Sequence, residues 1–210
     1  MKWLQNIKVY FQSNDRFPVN FQTNPLSVRK MTWLNEPKKK RMKERCLWIS
    51  PEGKTDWWQR TFFEYSHDSA HFLYYKTDRN FTMETECLYK PQHTFDQGGL
   101  AVRVDSQNWI KVSIEFNPDE TPQLASVVTN NGYSDASSQT LPDGIFQAKF
   151  RITRTGQDFL IEANINNEWQ TVRLTHLHAR FDEIACGMFA AAPKNEGFQV
   201  GFKDFKLWEV

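Results

Sequence analysis

Polar and aromatic side chains at alternate positions of two adjacent segments are the part of this sequence best suited to binding a polar molecule. Residues 96–105 and 109–116 each alternate these side chains with apolar ones. Because the side chains of a β-strand point alternately to its two faces, both segments are predicted to be strands. The polar row brings together a carboxamide, a guanidinium, an indole, an ammonium and a carboxylate, and its members are Gln97, Arg103, Trp109, Lys111 and Glu115. This composition is typical of a polar-ligand site or of a solvated sheet face.

The two strands are predicted to form a hairpin around residues 105–108. This register places Arg103 beside Trp109 near the turn and Gln97 beside Glu115. The apolar row must face the core, since burying each large side chain contributes about 1.5–3 kcal/mol. The polar row is therefore expected on the opposite, outer face, where the curved sheet of a sandwich can form a groove.

Each residue of the polar row has a binding interpretation and a structural one. Trp109 is a candidate platform for the apolar side of a sugar ring, or an aromatic cap at the end of the sheet. Arg103 is a candidate binder of carboxylates or hydroxyls, or a member of a structural salt bridge. Lys111 and Glu115 lie about 13 Å apart along the strand, too far to pair with each other. Each is expected to have a partner on a neighbouring strand.

Further candidates lie outside the hairpin. Adjacent indoles at Trp57 and Trp58 must point to opposite faces, so one is expected in the core and the other at a groove or loop rim. Ser134 and Asp135 follow an Asn-Asn-Gly turn and are candidates for the groove mouth, or for local turn hydrogen bonds. Two arginines could add donors. The predicted ligand-binding set is Trp58, Gln97, Arg103, Trp109, Lys111, Glu115, Ser134, Asp135 and Arg154, with Arg173 as a further donor.

The sequence has few features of an enzyme. Glu115 and Asp135 are weak candidates for an inverting pair of carboxylates, a geometry that tolerates about 6.5–9.5 Å between them. There is no nucleophile elbow, phosphate loop or dinucleotide fingerprint, so acyl-transfer and nucleotide chemistry have no support. The five histidines are scattered, so we expect no metal site and no cofactor.

Composition sets the broad class. A chain of 210 residues with 40% hydrophobic and 15% aromatic residues suits one large folded domain. A net charge of +1 argues against nucleic acid as a partner, and no apolar run is long enough for a membrane span. The three cysteines, Cys46, Cys87 and Cys186, are odd in number and widely spaced. They are expected to be reduced, which favours a cytoplasmic location.

Strand-like runs separated by turn signals dominate the chain and predict an all-β fold. The runs are residues 61–65, 81–89, 124–129, 148–154, 159–165, 187–192 and 200–210. A short helix is predicted near residues 174–182. Residues 1–24 are expected to be an extra strand, around Ile7, Val9 and Phe11, followed by a connector. Residues 25–210 are expected to be the main domain.

The basic run 37–45, Pro-Lys-Lys-Lys-Arg-Met-Lys-Glu-Arg, has three interpretations. We expect a solvated surface loop. Basic runs of this kind also occur as nuclear-import signals, with many false positives. A phosphate-binding patch is the weakest of the three, because neither a glycine-rich cradle nor a helix start lies beside the run.

Several segments together resemble a known family. They are Trp33–Pro37, Thr55–Trp58, Phe95–Arg103, Trp109–Glu115, Ser126–Thr129 and Gly187–Pro193. In this order they resemble the domain-of-unknown-function family linked to the regulation of enolase, within the concanavalin-A-like lectin/glucanase superfamily. The chain is similar, more distantly, to the C-terminal module of β-xylosidases. The resemblance implies an all-β jelly-roll sandwich of two antiparallel sheets with a concave face and at most one or two short helices.

The resemblance leaves function open, since one fold serves many functions. Hydrolytic members of the superfamily carry Glu-x-Asp-x-x-Glu on one strand, whereas here a proline follows Glu115 three positions later. We therefore expect a non-catalytic protein that binds a carbohydrate or another small polyhydroxylated ligand. The alternatives are an intracellular protein-interaction or regulatory domain with a protein partner and, after it, a glycoside hydrolase.

Overall fold

The computed structural model describes residues 17–19, 31–116 and 121–209, the first of these as backbone only. The strand predicted around Ile7, Val9 and Phe11 lies outside the described residues. The described residues form seventeen strands: β1 (Phe17–Val19), β2 (Thr32–Leu34), β3 (Lys39–Lys43), β4 (Cys46–Ser50), β5 (Trp57–Gln59), β6 (Ser66–Asp68), β7 (His71–Thr77), β8 (Phe81–Lys90), β9 (Asp96–Asp105), β10 (Asn108–Phe116), β11 (Gln123–Asn130), β12 (Tyr133–Thr140), β13 (Gln147–Thr155), β14 (Asp158–Ile165), β15 (Glu168–His176), β16 (Ile184–Ala191) and β17 (Gln199–Glu209).

Two large antiparallel sheets build the molecule. The eight-stranded sheet has the order β15-β14-β13-β8-β17-β4-β3, and β1 also pairs with β17. The seven-stranded sheet has the order β12-β11-β10-β9-β16-β7-β2. Within the described residues every strand pair is antiparallel and no residue is helical. The predicted all-β sandwich of two antiparallel sheets is therefore confirmed.

The apolar rows of the two sheets pack against each other to form the main core. From the seven-stranded sheet, Ile110, Val112 and Ile114 are fully buried, as their alternation in the sequence indicates. Phe150 and Ile152 of the eight-stranded sheet belong to the same cluster. The predicted inward row of β10 is thus the row that joins the sheets.

A second apolar cluster covers the other face of the seven-stranded sheet. The short hairpin of β5 and β6 lies there, and its Trp57 is fully buried. The Trp57 ring lies 5.2 Å from Phe72, 5.7 Å from Trp109 and 6.1 Å from Phe189, measured between ring centroids. Part of the face that was expected to be an open groove is therefore filled by the chain itself.

Three local predictions are wrong. Residues 61–65 form a turn and not a strand, because Glu64 N–H donates to the Arg60 carbonyl and Arg60 N–H donates to the Tyr65 carbonyl. The helix predicted near residues 174–182 is absent, because β15 continues to His176 in register with β14. The basic run 37–45, expected to be a loop, contains β3, which pairs with β4 as an exposed edge strand.

Among the described residues, none forms a helix that is long and apolar enough to cross a membrane.

Candidate functional site

The hairpin of β9 and β10 sets the positions of the polar row. Arg103 pairs with Trp109 and Gln97 pairs with Glu115, which is the register predicted from the sequence. Lys111 pairs with Ala101, between these two residue pairs. The row faces away from the main core, as expected. However, most of this face is not the open groove that the sequence suggests, because β5 lies over it.

Lys111 is the centre of the covered part. Only 2% of the residue is exposed, and its ammonium donates to three acceptors. They are the Trp57 carbonyl at 2.9 Å, Gln97 Oε1 at 2.8 Å and Asp56 Oδ1 at 3.4 Å. An ammonium has three donors, so Lys111 is fully satisfied within the protein. It joins the β5 backbone to the sheet and leaves no donor for a ligand.

The other covered residues also have internal partners. Trp109 is fully buried, and its indole N–H donates to the Ser106 carbonyl at 3.3 Å. Gln97 is buried and donates to the Phe95 carbonyl at 3.2 Å. Arg103 pairs with Asp68 at 2.8 Å and its guanidinium lies 5.1 Å from the Trp57 ring centroid. These contacts correspond to the structural interpretation of each residue.

Glu115 differs from Gln97, Trp109 and Lys111 because the residue is only partly buried. Within the described residues no hydrogen bond or ion pair reaches that carboxylate. Burial raises the pKa of Glu115; the Lys111 charge opposes this rise and the Asp56 charge adds to it. Burial also raises the pKa of the Tyr65 phenol, and the charges of Asp56 and Glu115 contribute to that rise. The charges of Glu115 and Asp56 thus influence each other and Tyr65 at the margin of the covered region, and we call these three residues the Glu115 site.

Exposed aromatic rings lie beside this site on the turn between β5 and β6. Phe62 is 90% exposed, Phe63 55% and Tyr65 41%. The Phe63 ring contacts Tyr65 at 5.7 Å, Phe62 at 5.1 Å and Trp58 at 5.7 Å between centroids. We call these four residues the aromatic cluster. Its turn holds three residues other than glycine in the left-handed region: Arg60, Phe62 and Glu64 have φ values of 53°, 66° and 53°.

Left-handed backbone is unfavourable for such side chains and is often found where a loop holds a ligand.

Trp58 is the one member of the aromatic cluster that belongs to the predicted ligand-binding set. Its indole N–H donates to the Thr61 carbonyl at 3.0 Å, which ties the indole to the turn.

Ser134 and Asp135 do not extend the site. Ser134 is 1% exposed and its hydroxyl accepts the Gln59 N–H at 2.9 Å, so it anchors β5. Asp135 pairs in register with the core residue Val128 and therefore points to the opposite face from Glu115. There it forms an ion pair with Arg173 at 2.9 Å. The hypothesis that Glu115 and Asp135 form a catalytic pair across one groove is wrong for this reason.

Arg154 also lies elsewhere. It belongs to β13 of the eight-stranded sheet and is buried. Its guanidinium donates to the Gly156 and Arg79 carbonyls, both at 2.8 Å, and stacks on Phe181 at 5.0 Å. These contacts join β13 to the neighbouring loops, so Arg154 has a structural role. Among the described residues no group of three or more His, Cys, Asp or Glu side chains is arranged to hold a metal ion.

Sequence reasoning missed three residues of the region. Asp56 is absent from the predicted binding set, although it accepts from Lys111 and from the Trp57 N–H. Phe63 and Tyr65 were assigned to a strand because aromatic residues favour strands. The available signal was the aromatic run Phe62-Phe63 followed by Tyr65, which is unusually apolar for a turn.

The sequence profile of the family described as "Protein of unknown function (DUF1349)" matches residues 33–210. The chain belongs to this family. It is 31% identical to "Regulation of enolase protein 1" from Saccharomyces cerevisiae over 177 residues, which cover 84% of this chain and 88% of that protein.

Solved structures of other proteins show the same fold. A functionally unknown protein from Saccharomyces cerevisiae has a TM-score of 0.80 and 30% identity, covering 87% of this chain and 98% of that one. A legume lectin-like domain from Entamoeba histolytica has a TM-score of 0.59 and 14% identity, with 92% and 97% covered. A xylan β-1,4-xylosidase from Bacillus halodurans has a TM-score of 0.58 and 13% identity, with 90% of this chain but 40% of that chain covered. The predicted two-sheet sandwich, with its lectin-like fold and a more distant likeness to xylosidases, is thus confirmed.

Proposed function

We propose that this DUF1349-family protein is a non-catalytic binder of a saccharide or another small polyhydroxylated ligand, and that the ligand binds at the Glu115 site beside the aromatic cluster. The observation that carries the proposal is the partly buried residue Glu115, whose carboxylate has no hydrogen bond or ion pair within the described residues and which lies near exposed aromatic rings. An ionised carboxylate accepts strong hydrogen bonds from hydroxyl groups. Aromatic faces provide apolar surface for the C–H side of a sugar ring.

The carboxylates of the site favour binding over hydrolysis. Asp56, whose charge acts on Glu115, is already held by the Trp57 N–H at 2.8 Å and by Lys111. Glycosidases need two carboxyl groups free to exchange protons or attack the sugar. The likeness to a legume lectin-like domain supports a carbohydrate-binding use of the fold. A cytoplasmic location remains part of the proposal, since all three cysteine thiols are free and buried.

A saccharide screen by thermal shift tests this proposal. A ligand that binds only the folded state at 100 times its Kd stabilises it by about 2.7 kcal/mol, which is readily measured. We expect at least one saccharide to raise the melting temperature of the wild type and of Tyr65→Phe, and to lose this effect in Glu115→Gln and Tyr65→Ala. The Tyr65→Phe variant keeps the ring and is the matched control. A ligand whose effect persists in all variants would place the site elsewhere.

The exposure of Phe62 supports a second candidate, a regulatory protein-interaction surface. A phenylalanine ring that is 90% exposed costs free energy in water and is the kind of group that fills an apolar pocket of a partner. The name of the yeast relative suggests enolase as the first partner to test. Enolase from the same organism should bind the wild type and a Leu174→Ser control, and should not bind Phe62→Ser. Equal binding by all three would remove this surface from consideration.

A further inference from the structure

An open pocket lies on the outer face of the eight-stranded sheet, the side of the sandwich remote from the Glu115 site. Its volume is about 390 Å³. A short loop before β13, outward side chains of three strands and the turn between β14 and β15 line the pocket. The lining residues are Glu86, Gly144, Ile145, Phe146, Gln147, Ala148, Lys149, Asn164, Asn166 and Asn167. We call it the outer pocket. It shares no residue with the Glu115 site or the aromatic cluster.

Strand register builds the floor of the outer pocket. Lys149 of β13 pairs with Glu86 of β8 on one side and with Asn164 of β14 on the other. Their chain neighbours Cys87, Ala148 and Ala163 are buried in the main core, so these three polar side chains point outward. The floor therefore presents a carboxylate, an ammonium and a carboxamide in one row across three rigid strands.

The turn between β14 and β15 forms one wall. Asn166 and Asn167 have φ values of 53° and 67°, so both occupy the left-handed region of a tight two-residue hairpin turn. Asparagine tolerates this conformation better than most residues. The carboxamides available at the pocket are those of Gln147, Asn164, Asn166 and Asn167. A carboxamide both donates and accepts, which matches the hydroxyl group.

The charges of the outer pocket leave one cation unpaired. Glu86 forms an ion pair with Lys203 at 3.3 Å and is neutralised by it. Lys149 is exposed and has no ion pair or hydrogen bond with any residue that the structure describes. Phe146, which is also exposed, adds an aromatic ring to the rim, stacked on Phe116 at 6.0 Å. The pocket therefore combines several hydroxyl-matching amides, an apolar face and a single free positive charge.

We propose that the outer pocket is a second binding site, which takes a small polyhydroxylated ligand carrying one anionic group. The carboxamides hydrogen-bond the hydroxyl groups and Lys149 pairs with the anionic group. A sugar acid and a sugar phosphate share this chemistry, and a neutral sugar lacks the group that Lys149 recognises. This site stands independently of the function proposed for the opposite face.

A titration followed by two-dimensional NMR tests the outer pocket with glucuronate, glucose 1-phosphate and glucose as probes. At least one of the two anionic sugars should shift the amide signals of residues 144–149 and 164–167 at millimolar concentrations. The shifts should weaken with added salt, since the contact to Lys149 is electrostatic. In Lys149→Gln the affinity should fall about tenfold, the usual scale for one charge-assisted hydrogen bond.

Two further variants make this result decisive. Lys39→Gln removes an exposed lysine from the far edge of the same sheet and should bind like the wild type. Asn164→Asp keeps the side-chain shape but adds a negative charge, and should abolish binding. Absence of shifts with both anionic sugars, equal affinity for glucose, or equal affinity in Lys149→Gln and Lys39→Gln would overturn the proposal. Because Glu115→Gln leaves the outer pocket unchanged, failure at one site is distinguishable from failure at the other.

Discussion

At the scale of single residues, Lys111 is the polar group on which the covered part of the seven-stranded sheet depends most. Its ammonium is buried and bonded to Asp56, to Gln97 and to the Trp57 carbonyl. Lys111→Met would leave the Asp56 carboxylate without its cation, and breaking a buried ion pair costs about 3–5 kcal/mol. We expect a loss of this size in the free energy of unfolding measured with urea. Lys39→Met, at an exposed position, should change it by less than about 0.5 kcal/mol. If Lys111→Met lost as little stability as Lys39→Met, Lys111 would not have a structural role.

Glu115 should make stability depend on pH. Burial raises the pKa of its carboxyl above the ordinary value of 4.5 in the folded state. The folded protein therefore holds the proton more tightly than the unfolded chain, so this stabilising contribution is full below the unfolded-state pKa. It is lost as the pH rises through the higher folded-state pKa. Glu115→Gln should remove this fall in the free energy of unfolding with rising pH. Glu183→Gln, at an exposed position, should retain it. Urea unfolding at a series of pH values measures the free energy of unfolding of the wild type and both variants. Parallel pH profiles for all three proteins would contradict a raised pKa at Glu115.

The sequence identified which residues share the outer face of β9 and β10, but not which of them solvent reaches. Alternation fixes the face of a side chain, and the hairpin register follows from it. Whether that face is open depends on residues 57–68, which are far away in the chain. Trp109 and Lys111 are therefore predicted on the correct face, yet they are structural, whereas Tyr65 is predicted in a strand and is absent from the predicted binding set.

At the scale of elements, the hairpin of β5 and β6 is held to the sheet mainly by Trp57. The indole is fully buried among Phe72, Trp109 and Phe189. Trp57→Ala should reduce the free energy of unfolding by about 3–5 kcal/mol, the usual cost of removing a buried tryptophan. Trp58→Ala, on the partly exposed side of the same strand, should cost clearly less. Equal losses for the two variants, measured by denaturant unfolding, would mean that the hairpin is not anchored through Trp57.

Element prediction succeeded where pairing and local pattern agree, and failed where they conflict. Long alternating runs such as β8, β13 and β14 were recognised because one face of each is apolar and buried. Residues 61–65 have strand-forming side chains, but the turn between β5 and β6 must reverse direction within them. Near residue 174 the periodicity also fits a helix, yet pairing with β14 keeps the chain extended.

At the scale of the whole molecule, the three cysteines report on the integrity of the two sheets. All three are buried, and burial raises the pKa of Cys46 to about 11 and raises the pKa values of Cys87 and Cys186 further. The reactive thiolate is therefore scarce at neutral pH. We expect the native protein to react very slowly with a thiol reagent, and all three thiols to react once the protein is unfolded. Rapid reaction of a native thiol would show that one sheet opens locally.

The most direct test of the account is the affinity of Glu115→Gln for the saccharide that gives the largest thermal shift with the wild type. Isothermal titration should show binding to the wild type and to the exposed control Glu183→Gln, and at least about tenfold weaker binding to Glu115→Gln, as expected when a charge-assisted acceptor is lost. Equal affinity in all three proteins, with unchanged folding, would contradict the claim that the Glu115 carboxylate holds the ligand.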